Sequence, residues 1–131
     1  MNISTRIAEI SWLNQEKGII FSKAKKGVEI NVDDARESME ALANFDHPSR
    51  RMIVDISEIK NQTAEARAYY SSKESTDYVK SMALLTGSKF SIGNIIGNFF
   101  IGLNKGDIPT KLFYNLEDAI TWTESLIQEE N

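Results

Sequence analysis

Apolar and polar residues alternate in the first part of the chain, a pattern that is typical of half-buried β-strands. The alternation covers residues 7–13, and a second apolar run, residues 18–21, follows a polar connection at residues 14–17. Two such runs joined by a short polar segment indicate an antiparallel hairpin. The chain is therefore predicted to open with a β-hairpin.

Short, continuous apolar runs later in the chain predict strands that are buried on both faces. They lie at residues 52–56 and 82–85, and a last strand is predicted at residues 111–114, after Pro109. A parallel sheet covered by helices has strands of this kind. A shorter run, residues 28–30, precedes the first predicted helix.

Four helices are predicted, each preceded by a polar residue that can cap its first turn. The caps are Asn31 for a helix that ends near residue 44, Thr63 for residues 64–72, Ser88 for residues 89–103 and Asn115 for a terminal helix. The resulting order is β-β-α-β-α-β-α-β-α. It predicts one α/β domain over residues 1–131, with a mainly parallel sheet, right-handed crossovers and an antiparallel N-terminal hairpin.

The composition restricts the chemistry that this domain can carry. The chain has 131 residues, no cysteine and one histidine, His47. A chain of this length can bury a hydrophobic core of its own, so no cofactor or metal is expected. Without cysteine there is no thiol nucleophile or thiolate ligand, and one histidine does not build a histidine zinc site. His47 is interpreted as a loop residue.

Charge and hydropathy exclude further classes of partner. The net charge is −4, from 15 Lys and Arg against 19 Asp and Glu, so no basic field attracts nucleic acid. The most apolar stretch, residues 90–103, is shorter than the roughly 20 residues that a membrane span needs. The first residues lack the apolar run of a secretory signal. We therefore expect a cytoplasmic protein.

Several segments resemble a known family. Residues 53–59 and the capped helix after them resemble the apolar-Asp-apolar-Ser strand of SpoIIAA-like (STAS-fold) domains. Residues 63–67, 92–104, 109–113 and 119–122 look like a bacterial family of uncharacterised STAS-like proteins. The resemblance covers the whole chain. It implies a SpoIIAA-like fold that is often dimeric, in a family without an established biochemical role.

The chain departs from the family at the residue that its regulators phosphorylate. Anti-sigma factor antagonists of this fold are switched at a serine in an Asp-Ser-Ser-Gly segment. Placing Asp55 and Ser57 on the family's strand puts Thr63 at its aspartate and Ala64 and Glu65 at its two serines. Neither of the last two side chains can be phosphorylated, so sigma-factor partner switching is not expected here.

A candidate binding site lies around the end of the strand at residues 52–56, because ligands of open α/β sheets bind outside the carboxyl ends of the strands. Its residues are Asp55, Ser57, Thr63, Arg67 and Tyr70. Thr63 and Ser57 are candidate phosphorylation sites, and a phosphate on Thr63 would lie at a helix start within reach of Arg67. The alternative is structural: Asp55 caps a turn, Thr63 caps a helix and Arg67 pairs on the surface.

A second candidate site lies on the predicted helix at residues 89–103. Gly93 and Gly97 are four residues apart, with Ile96 and Phe100 beside them. Two glycines inside a helix suggest close approach of another backbone. Three occupants remain open: the domain's own sheet, a second subunit or partner, and a lipid-like ligand, since STAS-like domains are similar in fold to Sec14-type lipid-binding domains.

The sequence contains no Gly-x-Ser-x-Gly elbow, phosphate-binding glycine loop or His-Glu-x-x-His pair, so an enzyme is not expected. The leading hypothesis is a non-catalytic STAS-like interaction or regulatory module, homodimeric, that binds a protein partner through residues 55–67. The alternative is a binder of a small apolar or lipid-like ligand beside residues 90–103.

Overall fold

A computed structural model describes residues 1–86 and 108–130. The main sheet contains six strands in the spatial order β1 (Asn2–Ser4), β2 (Ala8–Asn14), β3 (Ile19–Ala24), β5 (Arg51–Asp55), β7 (Ser81–Leu85) and β8 (Thr110–Phe113). Two short strands, β4 (Glu29–Ile30) and β6 (Asn61–Gln62), pair with each other in parallel. The helices are α1 (Val32–Ala41), which continues as a 3-10 turn (Leu42–Asn44), α2 (Ala64–Tyr70), α3 (Lys73–Thr76) and α4 (Leu116–Glu130).

The strand directions confirm the predicted mixed sheet. The first three strands pair antiparallel, and β3, β5, β7 and β8 pair in parallel. Two short strands, β1 and β6, were not predicted, because two or three residues are too few to show alternation. β1 extends the hairpin to a three-stranded antiparallel edge.

Helices pack on both faces of the sheet, as the apolar runs predict. On one face, Ile20, Met52 and Leu84 pack in a core cluster with residues of α1 and α2. The opposite face places Ile53 and Leu85 in a second cluster with residues of α4. Neighbouring residues of a strand point to opposite faces, so a strand covered by helices on both sides is apolar at nearly every position.

The predicted caps in the described residues are confirmed. Asn31 accepts the backbone N–H of Asp34 at 2.8 Å, and the Asp34 carboxylate accepts the N–H of Asn31, which completes a capping box. Thr63 accepts from Ala66 at 3.1 Å, and Asn115 accepts from Asp118 at 2.8 Å. Ser88, the fourth predicted cap, lies outside the described residues.

The helix predicted at residues 64–72 ends earlier, at Tyr70. The Ser72 hydroxyl donates to the Tyr69 carbonyl at 2.5 Å and accepts the Ser75 N–H at 3.3 Å. It therefore ends one helix and caps the next, the short α3 in what had been interpreted as a polar connection. Among the described residues, no helix is long and apolar enough to cross a membrane.

Candidate functional site

Asp55 and Ser57 form a hydrogen-bonded turn at the carboxyl end of β5. Asp55 Oδ1 accepts the Ser57 hydroxyl at 2.6 Å and the Ser57 N–H at 2.9 Å. Lys23, its register partner on β3, places its ammonium 3.6 Å from the other carboxylate oxygen. Lys23 also lies 4.0 Å from Glu58. The hydroxyl and the N–H of Ser57 and the ammonium of Lys23 thus hold the Asp55 carboxylate in one orientation.

Thr63 and Arg67 lie together at the start of α2. The Thr63 N–H donates to Ile30 at 2.9 Å, and its hydroxyl oxygen caps the helix. The Arg67 guanidinium reaches back to the Gln62 carbonyl, at 3.5 Å. The Arg67 N–H also donates to the Thr63 carbonyl at 3.1 Å, so Arg67 lies close to the cap of its helix, as predicted. Both side chains are partly exposed.

These two pairs belong to different faces of the sheet. Ile53 lies in the core cluster beneath α4, and Asp55, two residues later on the same strand, points to that same face. The helix that follows Thr63 packs in the cluster with α1, on the opposite face. The Asp55 side chain and α2 therefore lie on opposite faces of the sheet, and the 56–60 loop, whose Ile56 and Ile59 pack with the α1–α2 cluster, connects them.

Tyr70, the fifth candidate, is buried between the sheet and the helices. Burial raises the pKa of its phenol well above the ordinary value. It borders a cavity of about 30 Å³ beneath α1 and α2, which we call the α1–α2 cavity. The side chains around it include Ser22, Ser38, Met39, Met52, Tyr70 and Met82.

Arg6 contributes a contact that sequence reasoning missed. Its Nε donates to Asp34 Oδ1 at 2.7 Å, and its Nη2 contacts the other carboxylate oxygen and donates to the Glu29 carbonyl at 2.7 Å. These hydrogen bonds hold the pKa of Asp34 below its usual range. The contact fastens the connection between β1 and β2 to β4 and to the start of α1.

His47 is more than a loop residue. Its Nδ1 accepts the Ser49 N–H at 2.9 Å, and Nε2 lies 3.0 Å from the Glu16 carbonyl. The ring packs edge-on to Trp12. This side chain thereby joins the hairpin turn to the segment that enters β5, a role that the dipeptide His47-Pro48 does not reveal.

The candidates Gly93, Ile96, Gly97 and Phe100 lie outside the described residues. Within residues 1–86 and 108–130, no group of three or more His, Asp or Glu side chains is placed to hold a metal ion. Three charged side chains, Lys23, Asp55 and Glu58, lie close together at this edge of the sheet. Such a set is suited to recognition of a charged surface.

A family model described as a domain of unknown function (DUF7793) matches residues 12–127. Among solved structures, the chain is similar to an uncharacterised protein of the DUF3478 family with a SpoIIAA-like fold from Shewanella loihica PV-4. The identity is 16% and the TM-score 0.58, over 92% of this chain and 98% of the other. This likeness confirms the expected SpoIIAA-like fold. No curated protein matches the sequence.

Proposed function

The chain belongs to the DUF7793 family, a domain of unknown function, and we propose that it is a non-catalytic, cytoplasmic interaction module that binds a protein partner. The partner contacts the carboxyl edge of the sheet, at the loop of residues 56–60 and the neighbouring start of α2. The module acts as a homodimer and regulates its partner by docking, without a cofactor.

The observation that carries this proposal is the set of hydrogen bonds that holds the 56–60 loop. The Glu58 carbonyl accepts the Gly27 N–H at 2.8 Å, and the Lys60 N–H donates to Val28 at 2.9 Å. The turn between Asp55 and Ser57 fixes the beginning of the loop. Glu58 and Lys60 are exposed on it. A surface that is ordered before binding loses less entropy when a partner docks.

The arrangement of charges favours docking over catalysis. The Asp55 carboxylate accepts a hydrogen bond from Ser57 and pairs with Lys23. The Ser57 hydroxyl needs a general base in order to act as a nucleophile. The one histidine of the chain, His47, precedes β5, whereas Asp55 ends it. At about 3.3 Å per residue the two lie at opposite ends of a five-residue strand.

Between the two candidate phosphorylation sites, the geometry favours Thr63. A phosphate on Ser57 would stand beside the Asp55 carboxylate, which now lies 2.6 Å from the hydroxyl, and the two negative charges would repel. A phosphate on Thr63 would lie at the first turn of α2, one helical turn from Arg67. Phosphorylation of Thr63 would add charge next to the 56–60 loop.

A charge reversal in the loop tests the proposal. We compare tagged wild-type protein with Glu58→Lys and with Glu40→Lys, the same change at an exposed position of α1. Each is used to capture proteins from an extract of the source cells. We expect a partner that the wild type and Glu40→Lys capture and Glu58→Lys does not. Equal capture by all three would contradict docking at the loop.

Native mass spectrometry of the purified wild type tests the remaining parts of the proposal. We expect a dimer over a tenfold range of protein concentration and a phosphate on Thr63 in protein purified from its own cells. A monomer at every concentration would contradict the homodimer. Thr63→Glu that captures the same partner to the same extent would contradict regulation at this residue.

A further inference from the structure

The α1–α2 cavity lies inside the domain, and Ile56, the first residue of the 56–60 loop, is one of the residues that border it. Its floor is the sheet, which contributes Ala8, Ser22, Ala24, Met52 and Met82, and α1 contributes Ser38 and Met39. Small side chains on β2 and β3 leave the space open. Its volume is about 30 Å³, whereas one water needs about 10 to 15 Å³.

One hydroxyl at the wall of this cavity has no partner. Ser38 is 6% exposed, and its Oγ makes no hydrogen bond within the described part of the chain. Buried polar groups in folded proteins are hydrogen-bonded with few exceptions, so a buried hydroxyl at a cavity wall is free to bind a water or another molecule in the cavity. The wall formed by the described residues is mainly apolar, and its hydroxyl groups are those of Ser22, Ser38 and Tyr70.

The methionines of the chain are concentrated at this cavity. The sequence has four, and three of them, Met39, Met52 and Met82, border the cavity, while Met1 is 63% exposed. A methionine side chain is unbranched and changes rotamer at low cost, so walls made of methionine adapt to occupants of different shape. A cavity walled in this way can enlarge without movement of the backbone.

We infer that the α1–α2 cavity is a binding site for a small, neutral, mainly apolar molecule with one hydroxyl or carbonyl group. The oxygen of that group forms a hydrogen bond with the Ser38 hydroxyl. The apolar body contacts the three methionines. A charged molecule is disfavoured because, among the described residues, no ionised side chain borders the cavity to compensate for its desolvation. The observations behind this inference differ from those behind the proposed docking at the 56–60 loop, although Ile56 belongs to both.

The methyl groups of these methionines allow binding in the cavity to be measured by NMR. Protein labelled with 13C at the methionine methyl groups is titrated with two probes, xenon, which is purely apolar, and 1-propanol, which carries one hydroxyl. We expect saturable shifts of the Met39, Met52 and Met82 signals with both probes, and no saturable shift of Met1. Absence of saturable shifts at the three buried methionines would overturn the inference and would describe a cavity that holds only water.

Two serine variants then test the role assigned to Ser38. Ser38→Ala removes the hydroxyl at the cavity, and Ser81→Ala removes another buried hydroxyl without a described partner. Ser81 neighbours Met82 on β7 and points to the other face of the sheet. We expect Ser38→Ala to weaken 1-propanol binding about fivefold, as for one lost hydrogen bond, and to leave xenon binding unchanged. Ser81→Ala should change neither.

Equal affinity for 1-propanol in both variants would overturn the assignment of Ser38, even if xenon binds. Loss of xenon and 1-propanol binding together in Ser38→Ala would also overturn it, because a hydroxyl that acts only by hydrogen bonding to the ligand does not affect the binding of xenon. The same methyl spectra report whether each variant is folded. The partner-capture experiment with Glu58→Lys remains a separate test, since neither serine lies in the 56–60 loop.

Discussion

Arg6 and Asp34, 28 residues apart in sequence, pair through both guanidinium and carboxylate edges at the entrance to α1. Asp34 is 7% exposed and also accepts the N–H of Asn31. One carboxylate therefore closes the capping box of the helix and binds the segment between β1 and β2. Charge-assisted pairs of this fork geometry are stronger and more directional than a single lysine contact.

Replacement of Arg6 should lower the free energy of unfolding. Arg6→Ala leaves the buried Asp34 carboxylate with only its capping-box partner, and Arg6→Lys restores charge but not the two-point geometry. We expect the order wild type, then Lys, then Ala in urea unfolding midpoints. Lys26→Ala, at an exposed position in the turn after β3, is the control and should leave the midpoint unchanged. Identical midpoints for wild type and Arg6→Ala would contradict this role.

The same pair predicts a dependence of stability on pH. The hydrogen bond from Arg6 lowers the pKa of Asp34 in the folded protein. Its contribution to stability is therefore fully present above the unfolded pKa of about 3.9 and is lost as the pH falls through the lower, folded value. In urea titrations from pH 7 downward, the difference in stability between wild type and Arg6→Ala should shrink in the acid range. A constant difference would contradict the assignment.

Gly18 and Gly27 form a matched pair for a test of packing against His47. Both have a positive φ, 74° and 75°. A Cβ on Gly18 would lie 2.4 Å from His47 Nδ1 and 2.6 Å from the Ser49 carbonyl oxygen, whereas a Cβ on Gly27 would meet nothing within 4 Å. Gly27→Ala should cost about 1 kcal/mol from backbone strain alone. Gly18→Ala should cost about 2 to 4 kcal/mol, measured by thermal or urea unfolding.

Equal losses in the two glycine variants would show that His47 and Ser49 move aside at little cost. In that case the link between the hairpin turn and the entry to β5 would not depend on His47. A third variant, His47→Ala in the Gly18→Ala background, should recover part of the loss. Recovery is expected because it removes the ring atoms that the new Cβ meets.

Ser57→Ala should loosen the 56–60 loop. The variant removes a 2.6 Å hydrogen bond to a partly buried carboxylate, a loss of about 1 kcal/mol. Ser125→Ala is the control, since its hydroxyl also donates at 2.6 Å, but to the Trp122 carbonyl on the exposed side of α4. Amide hydrogen exchange at residues 57–60 should be faster in Ser57→Ala and unchanged in Ser125→Ala. Unchanged exchange in both would contradict the rigidity assigned to this turn.

Local signals in the sequence predicted local structure well. The caps Asn31, Thr63 and Asn115 act on residues three positions away, so the information lies within one turn of helix. The strands at the centre of the sheet were visible because burial on both faces makes them apolar throughout. The boundary after Tyr70 was missed because Ser72 acts in two directions, ending α2 and capping α3.

The candidate site was predicted only in its parts. Asp55 with Ser57 and Thr63 with Arg67 each act within a few residues, and the structure contains both pairs. Their distribution over two faces of the sheet follows from the side on which each helix packs, which spacing along the chain does not encode. Tyr70 is buried at the α1–α2 cavity for the same reason.

By itself, then, the sequence determined the α/β class, the order of the longer described elements, the mainly parallel sheet and the caps Asn31, Thr63 and Asn115, because each depends on periodicity or on contacts within a few residues. Only the tertiary structure decided which distant residues meet. Arg6 on Asp34 and His47 on the hairpin turn are pairings between separate elements, and Ser38, Met52 and Met82 come from three elements to border one cavity. Such contacts depend on how helices and strands pack in three dimensions, and packing brings together residues with no relation along the chain.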